Sequence, residues 1–132
     1  MYNEIITYYS KNPFNKYEME DSTINFSEEN DVCGDDLNIF LKIENNIIKN
    51  WSFTGDTSII TTACGSVFGE SIIGKSLEEV LALDYKYLVK LIEIEVTERR
   101  KKASVLALLA TRNAIHKYLE DGMTDDFDDV IK

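Results

Sequence analysis

The sequence is poor in the residues that build disulfide frameworks, closed metal sites and nucleophile–histidine pairs. It has two cysteines, one histidine and one proline in 132 residues. Two thiols cannot make a disulfide-rich scaffold, and such sparing use of cysteine is typical of the reducing cytoplasm. The single histidine, His116, is far along the chain from Cys33, so neither a Cys/His nor a Ser/His/Asp set can be assembled. We therefore predict that the protein is not an enzyme.

Long hydrophobic runs and positive charge are also scarce. No apolar stretch approaches the roughly 20 residues that a membrane-spanning helix needs. The start, "MYNEIITYYSKNP", lacks the basic segment and leucine-rich stretch of a secretory signal, so we expect a cytoplasmic protein. The formal net charge of -10 repels nucleic acid and anionic membranes, and it favours a protein partner with a basic surface.

What is present indicates one folded domain. A hydrophobic content of 44% with seven tyrosines is sufficient for a core, and 132 residues is the length of a single domain. No internal repeat or linker interrupts it. We predict one domain over residues 1–121 and an acidic, flexible tail over residues 122–132.

The first half of the chain predicts a short helix and then strands. Ile5, Ile6 and Tyr9 share one helical face before Pro13 ends the helix. Residues 14–35 are polar and predict an irregular segment. Strict alternation then predicts a strand over residues 37–44, a tight turn at Asn45–Asn46 and a returning strand over residues 47–53. After this hairpin, β-branched residues predict a third strand over residues 57–64. A helix is predicted from 64 to 74, and a charged connector over residues 93–102.

Two further predicted helices complete the fold. Ser76 and Glu79 form a capping box that begins a helix with apolar residues at 80, 83, 87, 88 and 91. A last helix is expected over residues 103–120. The order of elements predicts an α+β fold, with a small three-stranded antiparallel sheet between about residues 36 and 62 and helices packed on one face.

The chain resembles the iron–sulfur cluster scaffold proteins of the IscU, NifU and SufU type. The resemblance is carried by Cys-Gly-Asp at 33–35 before a hairpin, by Gly-Lys-Ser-Leu-Glu-Glu at 74–79, and by the last predicted helix. It covers roughly residues 2–121. It implies a small α+β domain that builds a nascent cluster on three cysteines and an Asp or His. The implied cofactor is an iron–sulfur cluster or iron, and the implied partner is a cysteine desulfurase or another assembly protein.

The resemblance also implies a ligand set, which is carried over residue by residue. The first ligand cysteine corresponds to Cys33 and the neighbouring aspartate to Asp35, and we predict both as metal and cofactor ligands. The second ligand cysteine corresponds to Ser58. The third corresponds to Ala103, and the histidine that precedes it in many members corresponds to Lys102. Serine stays protonated near neutral pH, alanine has no donor and an ammonium repels cations, so two of the ligands remain.

Each cysteine has two interpretations. Cys64 is either a small packing residue or, through a local shift of register, a replacement for the ligand lost at Ser58. Cys33 is either a plain buried cysteine or a retained sulfur acceptor and partial metal ligand. We expect Cys33 on a loop at the mouth of the sheet near Asp35, Ser58 and Lys102. A neighbouring ammonium would stabilise the Cys33 thiolate and make it the more reactive thiol.

Two function classes stay open. The first is a scaffold or carrier for iron–sulfur assembly, with self-association into a homo-oligomer left open. The second is a ligand-depleted paralogue that docks on a desulfurase or another assembly protein without holding a cluster. A closed zinc site is disfavoured because two cysteines and one distant histidine do not make a tetrahedral set. The run "TERRKK" at residues 97–102 is either a solvated loop or a partner contact.

Overall fold

An antiparallel sheet with helices on one face forms the framework of the protein. In this computed structural model, which describes residues 2–131, the strand order is β1-β2-β3. The bounds, in chain order, are α1 (Glu4–Lys11), β1 (Ile24–Asn30), β2 (Asp35–Glu44), β3 (Ile47–Asp56), α2 (Ile59–Ser71), α3 (Leu77–Leu81), α4 (Tyr85–Ile92), a 3₁₀ turn (Glu98–Arg100), α5 (Lys101–Leu119) and α6 (Phe127–Ile131). Helix α5 packs on β1 and β2, and α2 packs on α5, α1 and β3. The predicted α+β class is confirmed.

The hairpin of β2 and β3 follows the alternation of the sequence. The inward residues of β2, which include Leu37, Ile39 and Leu41, are fully buried. Opposite them on β3 lie Trp51 and Phe53, so that one face of the sheet is continuously apolar. The predicted turn is confirmed, because Asn45 and Asn46 take positive φ angles of 53° and 59°.

The first strand of the sheet comes from the segment that the sequence predicts to be irregular. That prediction is wrong for residues 24–30, which pair antiparallel with β2 and place Asn30 opposite Asp35. Only Ile24 and Phe26 mark the inward face of β1 with apolar side chains, and both are partly buried against the core. A pattern this short is easily missed, because pairing with β2 and packing on α5 supply most of the stabilisation.

The predicted third strand at 57–64 is wrong, because α2 begins there. The Ser58 side chain caps the helix by accepting the Thr61 N–H at 3.4 Å. The β-branched residues that follow favour strand intrinsically, but residues 60–69 are all buried, and burial outweighs propensity. Gly69 permits this close packing, since a Cβ there would overlap the Trp51 ring. The sheet therefore spans residues 24–56 rather than 36–62.

Two further helical predictions need correction. The single helix expected after the Ser76–Glu79 capping box, which is itself confirmed, is divided into α3 and α4. Asp84 starts the second piece by accepting the backbone N–H groups of Lys86 and Tyr87 at 3.1 and 3.3 Å. The expectation of a flexible tail is wrong for residues 127–131, because these form α6, pack on α5 and α4, and bury Val130 completely. Within residues 2–131, no helix combines the length and apolar character required to cross a membrane.

Candidate functional site around Cys33

Cys33 lies on the loop between β1 and β2, as predicted. The loop is short, and Gly34 takes a left-handed φ of +71° to lead the chain back into β2. The Cys33 side chain is partly exposed. The sheet therefore presents one thiol at the end of its strands, on a loop whose path depends on the following glycine.

An open cavity of about 450 Å³ adjoins this thiol. Four parts of the fold supply its walls: the residue Tyr2 before α1, the Cys33 loop, the start of α2, and the 3₁₀ turn with the first turn of α5. Its volume lies within the range of small-molecule sites. The residues that line it are Tyr2, Val32, Cys33, Ser58, Ile59, Ile60, Arg99, Arg100 and Ala103.

Asp35 is close to Cys33 in the chain, but its carboxylate is used within the fold. The residue is only 3% exposed. One carboxylate oxygen accepts the Ser58 backbone N–H at 2.7 Å. The other accepts the Thr61 hydroxyl at 2.7 Å and the Asn30 amide at 3.3 Å. Asp35 thus joins the start of β2 to the start of α2, and both oxygens are committed to the fold.

Ser58 and Ala103 do meet Cys33 at the cavity, as their predicted correspondence to ligand positions requires. Neither supplies a thiolate or an imidazole. The Ser58 hydroxyl caps α2 and donates to the Thr61 hydroxyl oxygen at 3.1 Å. Ala103 is buried and contributes a methyl group. The fold therefore keeps these positions together while the side chains provide no metal donor.

The expected place of Lys102 is wrong. Its ammonium lies 5.2 Å from the centre of the Phe127 ring, on the α6 side of α5, and the residue does not line the cavity. Arg99 and Arg100 line the cavity instead. Successive residues of a helical turn point in different directions, so the basic run at 99–102 is divided between two surfaces. The sequence shows the basic run, but which of its residues line the cavity depends on where the helix begins.

Cys64 is a packing residue of the core. It lies within α2, is fully buried, and does not line the cavity. Burial raises the pKa of the Cys64 thiol to about 12. A buried thiol of this kind behaves as a small apolar side chain. The interpretation of Cys64 as a packing residue agrees with this position.

His116 belongs to a separate buried cluster at the far end of α5. Its Nδ1 lies 2.7 Å from an Asp121 carboxylate oxygen, and its Nε2 lies 3.0 Å from one of Asp125. Arg112 donates to the same Asp125 oxygen at 2.8 Å. The hydrogen bond from His116 is the largest influence that lowers the pKa of Asp121. These contacts fasten the segment before α6 to α5 and are structural.

The donors around Cys33 do not fit a metal or cluster site within one chain. In the described part of the sequence, no group of three or more His, Cys, Asp or Glu side chains is placed to hold a metal ion. The cavity offers one thiol and two hydroxyl groups, of which Ser58 caps α2 and Tyr2 accepts a hydrogen bond from Arg100, while Ala103 supplies only a methyl group. The two guanidinium groups at its wall repel cations. The prediction that Cys33 and Asp35 are metal ligands stays a prediction.

The protein is a small α+β domain. Its Cys-Gly-Asp loop lies at the end of the sheet, beside the first turns of α2 and α5. The sequence profile of the NifU-like N-terminal domain matches residues 1–124. The chain belongs to this family. The class and the fold predicted from the resemblance to the IscU, NifU and SufU proteins are thereby confirmed.

Two curated relatives match a little under two thirds of the chain. The iron–sulfur cluster assembly scaffold protein IscU of Thermotoga maritima is 32% identical over 83 residues, which are 63% of this chain and 58% of that protein. The zinc-dependent sulfurtransferase SufU of Bacillus subtilis is 30% identical over 83 residues, 63% of this chain and 56% of that protein. The chain thus matches a little over half the length of these relatives.

Solved structures share the fold over nearly the whole domain. A candidate iron–sulfur cluster assembly scaffold protein for the SUF system from Fervidobacterium islandicum superposes with a TM-score of 0.77 at 21% identity, covering 86% of this chain and 96% of that one. A nitrogen-fixing NifU-like protein from Brucella abortus, N-terminal part, superposes with a TM-score of 0.73 at 15% identity, covering 92% and 95%. At these identities the likeness establishes the fold.

Proposed function

We propose that this protein takes part in cytoplasmic iron–sulfur cluster assembly as a family member that carries one reactive thiol and works with a cysteine desulfurase. In this role Cys33 accepts sulfur, and the isolated monomer does not hold a stable cluster. The family membership and the names of the curated relatives support the pathway. The absence of enzymatic activity stays a prediction, because one of those relatives is named a sulfurtransferase.

The observation that carries the proposal is the isolation of the Cys33 thiol at its cavity. Cys64 is buried in the core, Asp35 is hydrogen-bonded within the fold, and Ala103 offers no donor. A cluster needs several thiolates on neighbouring irons, whereas a sulfur acceptor needs a single accessible thiolate. The site therefore favours sulfur acceptance over cluster retention.

The proposed step is a transfer of one sulfur atom without net oxidation. The Cys33 thiolate attacks the outer sulfur of the persulfide on the desulfurase, and a new S–S bond forms at Cys33. The S–S bond of the donor persulfide breaks, and the donor cysteine leaves as a thiolate. Cys33 then carries the persulfide, and the electrons balance without another reactant.

Intact-mass spectrometry under non-reducing conditions tests this proposal. Wild-type protein is incubated anaerobically with a cysteine desulfurase and cysteine, and the mass gained by the chain is measured. We expect wild type and Cys64→Ala to gain one sulfur atom, and Cys33→Ser to gain none. A wild-type chain that gains no sulfur, or a Cys33→Ser chain that gains as much as wild type, would contradict it.

A second candidate function is a binding module that docks on an assembly protein without chemistry at Cys33. The full engagement of Asp35 by Ser58, Thr61 and Asn30 favours it, because that carboxylate assists the fold rather than the thiol. Binding to the desulfurase that persists unchanged in Cys33→Ser, without sulfur transfer in wild type, would identify this function.

A further inference from the structure

The basic run before α5 is divided into a pair that packs on the protein and a pair that faces the Cys33 cavity. The Lys101 ammonium lies 5.2 Å from the centre of the Tyr85 ring and 3.4 Å from a Glu98 carboxylate oxygen. The Lys102 ammonium packs over Phe127. Arg99 and Arg100 line the cavity. Of the four basic residues, Arg99 and Arg100 therefore bring positive charge to the cavity that Cys33 also lines.

One of the two guanidinium groups is held in place. Arg100 donates a hydrogen bond to the Tyr2 hydroxyl and lies 5.5 Å from the centre of the Tyr2 ring. Cation–π contact and a hydrogen bond together restrict its side chain, which lowers the entropy lost on binding a ligand. The remaining N–H groups of Arg100 and the fork of Arg99 are donors suited to a carboxylate.

The charge of this cavity is the reverse of the charge of the whole chain. The protein has a formal net charge of -10, yet no carboxylate is among the described residues that line the cavity. Asp35 is withdrawn into the fold by its bonds to Ser58 and Thr61, and Glu98 pairs with Lys101. A cavity with two guanidinium groups and no opposing carboxylate attracts small anions.

The rim supplies an apolar contact for the rest of such a ligand. Val32 is 55% exposed and Ile59 is 50% exposed, and both line the cavity beside Cys33. Apolar walls with a few placed polar groups are the usual composition of small-molecule sites. The cavity combines a nucleophile, two carboxylate-binding groups and an apolar rim.

We propose that the Cys33 cavity binds low-molecular-weight persulfides that carry a carboxylate, with Arg99 and Arg100 holding the carboxylate while Cys33 takes the outer sulfur. This inference rests on the proposed function of Cys33 as a sulfur acceptor, and it adds a class of small sulfur donor beside the desulfurase. The Cys33 thiolate forms a bond to the outer sulfur, the S–S bond of the small persulfide breaks, and its carrier leaves as a thiolate. No oxidant or reductant is consumed.

A matched pair of donors tests the charge requirement. The persulfide of N-acetylcysteine carries one carboxylate, and the persulfide of N-acetylcysteine amide has an uncharged amide in its place. The rate of sulfur gain on Cys33 is followed by intact mass and divided by the rate on an uncharged peptide thiol. We expect wild type to prefer the carboxylate by about fivefold, the size typical of an exposed charge contact.

Two double variants identify the source of this preference. Arg99→Gln/Arg100→Gln should bring the ratio of rates close to unity, while Lys49→Gln/Lys86→Gln, which removes the same charge from exposed residues that do not line the cavity, should keep it. Circular dichroism confirms that both variants fold. Equal rates with the two donors in wild type, or an unchanged ratio in the arginine variant, would overturn the proposal.

The desulfurase assay on the same proteins separates this inference from the function on which it rests. Sulfur gain from the desulfurase without any preference between the small donors would overturn the inference and leave the proposed function standing. A clear preference for the carboxylate donor that the arginine variant abolishes, without sulfur gain from the desulfurase, would support the inference and overturn the proposed function.

Discussion

At the scale of single residues, the two cysteines lie in contrasting environments. Cys33 is partly exposed on a loop, with guanidinium groups across its cavity. Cys64 is fully buried, and burial raises the pKa of its thiol to about 12. Since the thiolate is the reactive form and a reagent has to reach it, Cys33 is the accessible thiol of the two.

Thiol labelling tests this difference directly. In native protein, we expect the thiol of Cys64→Ala, which retains only Cys33, to react more than about a hundredfold faster than that of Cys33→Ser. Unfolding in urea should make the two variants react at similar rates, which serves as the control. Equal or faster labelling of Cys64 in the folded protein would contradict the assignment.

Asp35 provides the second residue-scale prediction. Asp35→Ala removes the acceptor for the Ser58 N–H and the Thr61 hydroxyl. We expect the free energy of unfolding to fall by about 1–3 kcal/mol, because the Ser58 N–H loses its partner and the Thr61 hydroxyl keeps, as a donor, only its 3.3 Å contact with the Ala103 carbonyl oxygen. Urea denaturation measures the loss, and Asp36→Ala, at an exposed neighbouring carboxylate, is the matched control. Equal stability of Asp35→Ala and wild type would show that the carboxylate is not needed for the fold.

At the scale of secondary-structure elements, the sequence predicts what periodicity alone determines. Regular alternation predicts the strands over 37–44 and 47–53, and the positive φ of Asn45 and Asn46 confirms the turn. The alternation of the sequence does not predict β1, where Ile24 and Phe26 are the only inward apolar residues before Glu28. The sequence pattern assigns the wrong structure to the start of α2, because the capping role of Ser58 and the burial of residues 60–69 depend on tertiary contacts.

For the candidate site, the sequence predicts the location but not the roles of its side chains. The resemblance places Cys33, Ser58 and Ala103 at one location, and the structure brings them to one cavity. It does not predict that Asp35 is withdrawn into hydrogen bonds with the first turn of α2, since this depends on the pairing of β2 with β1. Nor does it predict that Arg99 rather than Lys102 lines the Cys33 cavity, because the position of the turn before α5 is fixed by packing.

The segment between α5 and α6 gives a prediction about acid stability. The pKa of Asp121 lies below its ordinary value of 3.8, chiefly through the hydrogen bond from His116 and then through the Met123 N–H. A carboxylate whose pKa is lowered on folding contributes stability above its unfolded pKa and loses that contribution as the pH falls through its folded pKa. Asp121 therefore contributes near neutral pH and stops contributing in acid.

Urea denaturation at a series of pH values measures this contribution. Between about pH 5 and pH 2, the free energy of unfolding should fall less steeply in Asp121→Asn than in wild type. Asp31→Asn, at an exposed carboxylate of the β1–β2 loop, should follow the wild-type slope. Identical slopes for Asp121→Asn and wild type would mean that the Asp121–His116 contact does not contribute to the pH dependence of the free energy of unfolding.

At the scale of the whole molecule, a fold typical of cluster scaffolds carries a cavity that does not suit a cluster. The positions that correspond to the ligand cysteines converge, yet Ser58 and Ala103 provide no thiolate and Arg99 and Arg100 add positive charge. An iron–sulfur cluster is held mainly by thiolate ligands. The molecule as a whole is thus better suited to accept sulfur at one thiol than to retain a cluster.

Anaerobic reconstitution of the purified monomer with ferrous iron, a cysteine desulfurase and cysteine, followed by desalting, tests this claim most directly. The visible absorption spectrum and the iron content of the desalted protein are measured, with Ser58→Cys/Ala103→Cys, which adds two thiols to the same cavity, as the matched comparison. We predict that wild type retains no sulfide-to-iron charge-transfer band and little iron, and that the variant retains more. A persistent band with near-stoichiometric iron in the wild-type monomer would contradict the account.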